Sequence, residues 1–174
     1  MEAILSKSRY PGIRAFEKSE QKVFFGRDAE TKKLFSLIKA KSLVVLFSKS
    51  GLGKSSLINA GVEPLLEKDD YQAVKIRLQD TSQKPIETVK QALEPFLDKE
   101  KLKAHTKGKK YGLWEYLRAC DFSKNGKPII PLLVFDQFEE YFEHDKYEQD
   151  KLNLELADLV SERLPERIQQ HLRN

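Results

Sequence analysis

At 174 residues and 20.2 kDa the chain has room for one domain with a core of about five to eight packed elements, and it is too short for a multi-domain machine. A composition of 40% hydrophobic and 33% charged residues excludes wholesale disorder, and no window approaches the roughly 18 consecutive apolar residues of a membrane span. The net charge of +4 is a mild excess of 31 basic over 27 acidic residues, which does not favour nucleic acid as a partner.

In chain order, the opening "MEAILSKSRYPG" has no apolar core of a signal peptide, so export is not expected. "DAETKKLFSLIKAK" predicts a helix capped by Asp28, with Leu34, Phe35, Leu37 and Ile38 on one face. The apolar run "LVVLF" at 43–47 predicts a strand buried on both faces. "GKSSLINA" predicts a helix that Gly61 is suited to end. "YQAVKIRL" alternates, with Val74, Ile76 and Leu78 on one side and Lys75 and Arg77 on the other, as a half-exposed or edge strand does. A helix follows over "KPIETVKQALEPFLDKE", after a Thr81/Ser82 cap and shortened or kinked by Pro95. The tract "KEKLKAHTKGKK" at 99–110, with six lysines and neither arginine nor aromatic residues, reads as a solvated loop. A brief helix around "YGLWEYLRAC" precedes a second buried strand at 132–135, entered at Pro131. Leu152, Leu156, Leu159, Val160 and Leu164 mark a last amphipathic helix. This alternation of helix and strand predicts an α/β domain with a mostly parallel sheet. The lone cysteine, Cys120, lacks partners for a disulfide or a zinc site, which fits a reducing, cytoplasmic setting.

Two stretches carry chemistry. The first, "SKSGLGKS", matches the phosphate-binding loop G-x-x-x-x-G-K-[ST] except that Ser48 replaces the first glycine. A phosphate cradle needs a tight turn from strand to helix, converging backbone N–H groups and a helix N-terminus aimed at the anion. Ser50, Gly51, Leu52, Gly53, Lys54, Ser55 and Ser56 supply such a loop: the glycines bend it, Lys54 reaches the β/γ-phosphates, and the Ser55 hydroxyl ligates Mg²⁺. Ser48 is tolerated if its φ is negative. The second, "LLVFDQFEE", puts Asp136 at the C-terminal end of an apolar strand, where open parallel sheets bind ligands. Asp136 then serves Mg²⁺ through its water shell, and Glu139 and Glu140 are candidates for orienting the attacking water. All three carboxylates also suit a bland role as solvated acids opening a helix.

Together "RYPGIRAFEKSEQKVFFGRDAE", "KSGLGKSSLINAGVEPLL" and "LLVFDQFEEYF", in that order and spacing, resemble the novel STAND NTPases of the nSTAND1 type from bacterial signalling and defence proteins. The resemblance runs from about Tyr10 past Asp136. It implies a P-loop NTPase with a three-layer core, and a switch in which ATP binding and slow hydrolysis toggle a closed and an oligomerising state. It also implies that Gly26 and Arg27 of "FFGRDAE" line the nucleotide pocket; by itself Arg27 also reads as a surface cation near a helix cap. Such a domain would continue into further strands and a sensor residue. The expectation is therefore an N-terminal segment at 1–25 leading into a partial NTPase domain at 26–174, with main strand order 2-3-1.

The functional expectation is an ATP/ADP- and Mg²⁺-binding domain of a signalling or defence NTPase, with weak hydrolysis or none. The alternative is a non-catalytic assembly module that keeps the fold. In the order 2-3-1 the apolar run at 43–47 is an open edge, a template for self-association. Other ways to satisfy it are the missing remainder of the domain, local cover by "KVFF", or a cap from "PERIQQHLRN".

Overall fold

The computed structural model describes residues 12, 14–98, 112–161, 163–166, 168 and 169. The basic tract at 99–110 and the greater part of "PERIQQHLRN" lie outside them. The chain divides into two units, Met1–Tyr71 and Gln72–Asn174.

In the first unit a 3-10 helix, Lys18–Val23, opens with a capping box in which the Glu20 carboxylate accepts from the Glu17 N–H at 2.9 Å. Glu20 is buried and also takes the Arg14 guanidinium through two bonds of 2.7 and 2.6 Å. Helix α1, Asp28–Ala40, follows, and its N-cap is Arg27. Asp28 was expected to cap it but is its first residue, and no side chain makes a cap bond. As an acid in the first turn it still complements the helix dipole. Helix α2, Lys54–Ser56, continues without a break through a π-helical stretch, Leu57–Val62, into α3, Glu63–Leu66.

Gly61 was expected to end this helix; instead the helix runs through it. A Cβ there would lie 2.6 Å from Thr31 Oγ1 and 3.3 Å from Phe24 Cε1, so the glycine serves close approach to α1. Leu34, Leu57, Ala60, Val62 and Leu66 form the buried apolar set of this unit, with Phe16 and Phe24 in edge contact at 5.4 Å. At roughly 1.5–3 kcal/mol per fully buried aliphatic side chain, this set is what holds α1 against the helix that leaves the loop.

The strand expected at 43–47 is not formed. Val45 is 80% and Phe47 94% exposed, which also rules out cover by "KVFF". An apolar run becomes a strand only by laddering with a neighbour, and no described residue ladders with this one.

The second unit is built on strands β1, Tyr71–Ile76, and β4, Ile130–Phe135, which form a short parallel pair. The α/β class with a parallel sheet is thus present, and so is the adjacency of strands 2 and 3 in the expected order. Val74, Ile76 and Leu78 are buried while Lys75 and Arg77 are exposed, as the alternation predicts. β4 is only half-buried, because the ladder lies along one of its edges among the described residues. The crossover between them carries α4, Pro85–Leu93, α5, Leu113–Ala119, and a hairpin of β2, Ser123–Lys124, and β3, Lys127–Pro128.

α4 begins at Pro85 with Lys84 as N-cap, not at the expected Thr81/Ser82 cap. Proline suits a first turn, and Ser82 is occupied otherwise: its N–H and Oγ donate to Asp80 Oδ1 at 2.9 and 2.6 Å. Those bonds hold the exposed Asp80 carboxyl below its usual pKa. As Pro95 foretold, α4 stops at Leu93 and tightens into a 3-10 turn, Glu94–Phe96. A 3-10 helix, Phe138–Glu143, and α6, Lys146–Val160, complete the unit. The Asp145 side chain caps α6 by accepting from Glu148 N–H. Val74, Ile76, Leu78, Val89, Leu93, Leu113, Phe122 and Leu152 meet in its core, and Leu156 and Leu159 pack against it. Leu164, assigned to the last helix by its spacing, lies beyond its end and is 45% exposed.

Candidate functional site

The loop at 48–53 turns where glycine permits it. Gly51 and Gly53 have φ of +79° and +75°, the left-handed region that costs other residues about 1 kcal/mol or more, and Gly53 is the N-cap of α2. Ser48 is not among the residues with positive φ, so replacing the first glycine puts no strain on the backbone. The Lys54 ammonium donates to Ser48 O at 2.9 Å and Lys49 O at 3.3 Å, which holds the charge across the loop.

Arg27, carried by the turn at Gly26 (φ +80°), reaches the same loop. Its Nη1 donates to Leu52 O at 3.3 Å and would lie 3.7 Å from a Cβ at Gly53. Nε is 2.9 Å from Glu30 Oε1, an ion pair by distance but out of line for a hydrogen bond. Nε is thus a buried donor with no aligned acceptor among the described residues. The structure therefore brings Gly26, Arg27, Leu52, Gly53 and Lys54 together, and two cationic side chains converge on a ring of backbone groups.

Ser56 does something that the spacing did not show. Its buried Oγ accepts the Phe16 N–H at 3.0 Å, and Asn59 Nδ2 donates to Phe16 O at 3.2 Å. Both backbone polar groups of one residue of the N-terminal segment, Phe16, are thus held by the helix leaving the loop. Contacts 40 and 43 residues apart leave no periodic signal, although a polar Asn59 amid apolar helix positions was a hint.

In the second unit Asp136 stands just past β4, exposed, with its N–H on Ile76 O at 3.0 Å. That bond extends the ladder to the acid itself and fixes its register. Asp136 Oδ1 accepts from Gln137 N–H at 3.2 Å. Gln137 has φ +52°, a left-handed conformation uncommon for a residue with a Cβ, and it caps the following 3-10 helix. Glu139 is exposed, without a hydrogen bond or ion pair among the described residues. Glu140 is paired with Arg77, whose position in the alternating stretch marks it only as an outward-facing strand residue. Below the turn, Phe138 stacks on Tyr141 at 4.9 Å, and the Tyr141 hydroxyl donates within reach of Gln149 O at 2.6 Å and Asn153 Oδ1 at 2.8 Å. The acids thus rest on a packed aromatic step. No group of three or more His, Cys, Asp or Glu among the described residues is placed to hold a metal.

A loop bent by two left-handed glycines, with a lysine across it and an arginine reaching it, presents cationic and backbone groups of the kind that bind anions. Over residues 10–171 the chain matches the family model of Novel STAND NTPase 1. The chain belongs to the Novel STAND NTPase 1 family. It is, in that general sense, a nucleotide-binding NTPase domain. Neither a curated protein nor a solved structure matches it. No described helix of this family member is long and apolar enough to cross a membrane.

Proposed function

We propose that the chain is the ATP-binding domain of a STAND-type signalling or defence NTPase, in which binding dominates and hydrolysis is slow. The observation that supports this most is the convergence of Lys54 and Arg27 on a glycine-bent loop that opens a helix. In this reading the backbone N–H groups of residues 50–56 and the α2 N-terminus receive the phosphates of ATP or ADP. Lys54 exchanges its two carbonyl partners for phosphate oxygens, and the unaligned Arg27 Nε–H finds an acceptor. The Ser56 hydroxyl, committed to Phe16, anchors the helix and leaves its backbone N–H to the cradle. Ser55 and Asp136 are the proposed protein oxygens for Mg²⁺. A hard cation that keeps most of its waters and uses the substrate's phosphates needs no cage of three protein carboxylates.

Calorimetric titration with Mg·ATP and Mg·ADP tests this reading. Lys54→Ala should weaken binding by about tenfold or more, because a cation facing phosphates makes charge-assisted hydrogen bonds. Asp136→Asn should reduce the Mg²⁺ dependence of binding. Equal affinity for the wild type and Lys54→Ala would refute the assignment.

A second reading, assembly through residues 43–47, is favoured by the exposure of Val45 and Phe47. Burying such a run between copies gains about 25 cal/mol per Å² of apolar area. Sedimentation should then show association that Phe47→Asp abolishes; a monomer at high concentration with rapid amide exchange along 43–47 would exclude it.

A further inference from the structure

Glu139 and Glu140 are adjacent acids that the sequence offers equally for orienting water, and the structure separates them. Arg77 Nη2 donates to Glu140 Oε1 at 2.9 Å and Nε donates to Glu140 Oε2 at 3.1 Å, a two-point clasp that takes both carboxylate oxygens. Arg77 directly follows Ile76, whose carbonyl accepts the Asp136 N–H, so the ladder itself brings the guanidinium to the strand end beside the acid. The turn it clasps is a sharp one: Gln137 is left-handed, and Glu140 N–H returns to Gln137 O at 3.0 Å. An ion pair with its arginine 49% exposed adds little to stability, so the role of this one is geometric.

We propose that Arg77 is a positioning residue for hydrolysis: its clasp on Glu140 fixes the turn after β4, and Glu139 is the carboxylate that orients the attacking water. The proposal rests on the nucleotide-hydrolysing reading above. A carboxylate bridged by a guanidinium fork has one lone pair of each oxygen engaged and its negative charge partly neutralised, which makes it a weaker acceptor for a water proton than an unpaired carboxylate. Glu139 has no such partner among the described residues and sits on the turn that the clasp immobilises.

The test uses the full chain with Mg·ATP, measuring steady-state hydrolysis and, separately, calorimetric binding. Glu139→Gln should lower kcat by about 100-fold or to background, the scale of lost acid–base assistance, with KM near the wild-type value. Arg77→Gln and Glu140→Gln should lower kcat equally, by roughly 5- to 10-fold, and the double variant should lose no more than either, since both remove one clasp. The charge-reversed pair R77E/E140R should recover kcat to within about threefold of the wild type, although position 140 then has no carboxylate. Glu140→Gln abolishing turnover while Arg77→Gln keeps it would overturn the proposal and make Glu140 the water-orienting group. A folded reversed pair that binds Mg·ATP but stays inactive would overturn it too. If the reversed pair does not fold, the comparison of the three single variants decides. A wild-type chain that binds Mg·ATP without turnover would overturn this proposal and leave the binding reading standing; a chain that does not bind would remove both.

Discussion

Gly61→Ala is the smallest change that probes how the helix leaving the loop at 48–53 supports Arg27. Its new Cβ would meet Thr31 Oγ1 at 2.6 Å, Phe24 Cε1 at 3.3 Å and Thr31 Cγ2 at 3.4 Å. The first distance is well inside van der Waals contact, and Thr31 is buried and β-branched, so it cannot swing clear. Overpacking of this kind costs about 1–3 kcal/mol, and the better helix propensity of alanine returns up to about 1 kcal/mol. The expected net loss is about 1–2 kcal/mol, read as a lower urea midpoint at unchanged slope. Because Arg27 caps α1 and Thr31 lies one turn later, displacing α1 also moves the guanidinium from Leu52 O; nucleotide affinity should fall several-fold. Adding Thr31→Ala removes two of the three contacts and should restore most of both losses. If Gly61→Ala is as stable as the wild type, the close approach at this point is wrong.

Ser56→Ala should cost about 1–3 kcal/mol by leaving the Phe16 N–H without its acceptor, yet shift nucleotide affinity by less than about threefold. A large affinity loss at unchanged stability would mean that the hydroxyl serves ligand. Leu152→Ala, at a fully buried position in the core of the second unit, should cost about 2–5 kcal/mol in the same urea assay; a cost below 1 kcal/mol would place α6 outside the core. Burial pushes the Tyr116 phenol up to about 12 from an ordinary 10.0. The folded state therefore keeps a proton that the unfolded chain releases, and stability present below about pH 10 falls as pH rises toward 12. Tyr116→Phe should flatten that fall; an unchanged alkaline slope would contradict the desolvated phenol.

The sequence by itself determined what short-range chemistry governs. Glycines at 51 and 53 permit the left-handed turns of the loop, and period-two alternation sends Val74, Ile76 and Leu78 inward. Pro95 stops α4, and the acid after an apolar run lies at the end of β4. Each of these depends on a residue and its near neighbours, whose φ/ψ limits and side-chain periodicity are local properties. Other features were decided only by residues remote in the chain. Whether 43–47 becomes a strand depends on a ladder partner, and its apolar letters could not supply one. Gly61 reads as a stop until Thr31 arrives beside it, and the partner of the Ser56 hydroxyl is known only once Phe16 donates to it. Glu139 and Glu140 stay equivalent in sequence because nothing within a turn of either distinguishes them. Arg77, 63 residues before Glu140, is brought to it by the β1–β4 ladder, and a contact that long-range exists only once the sheet has closed.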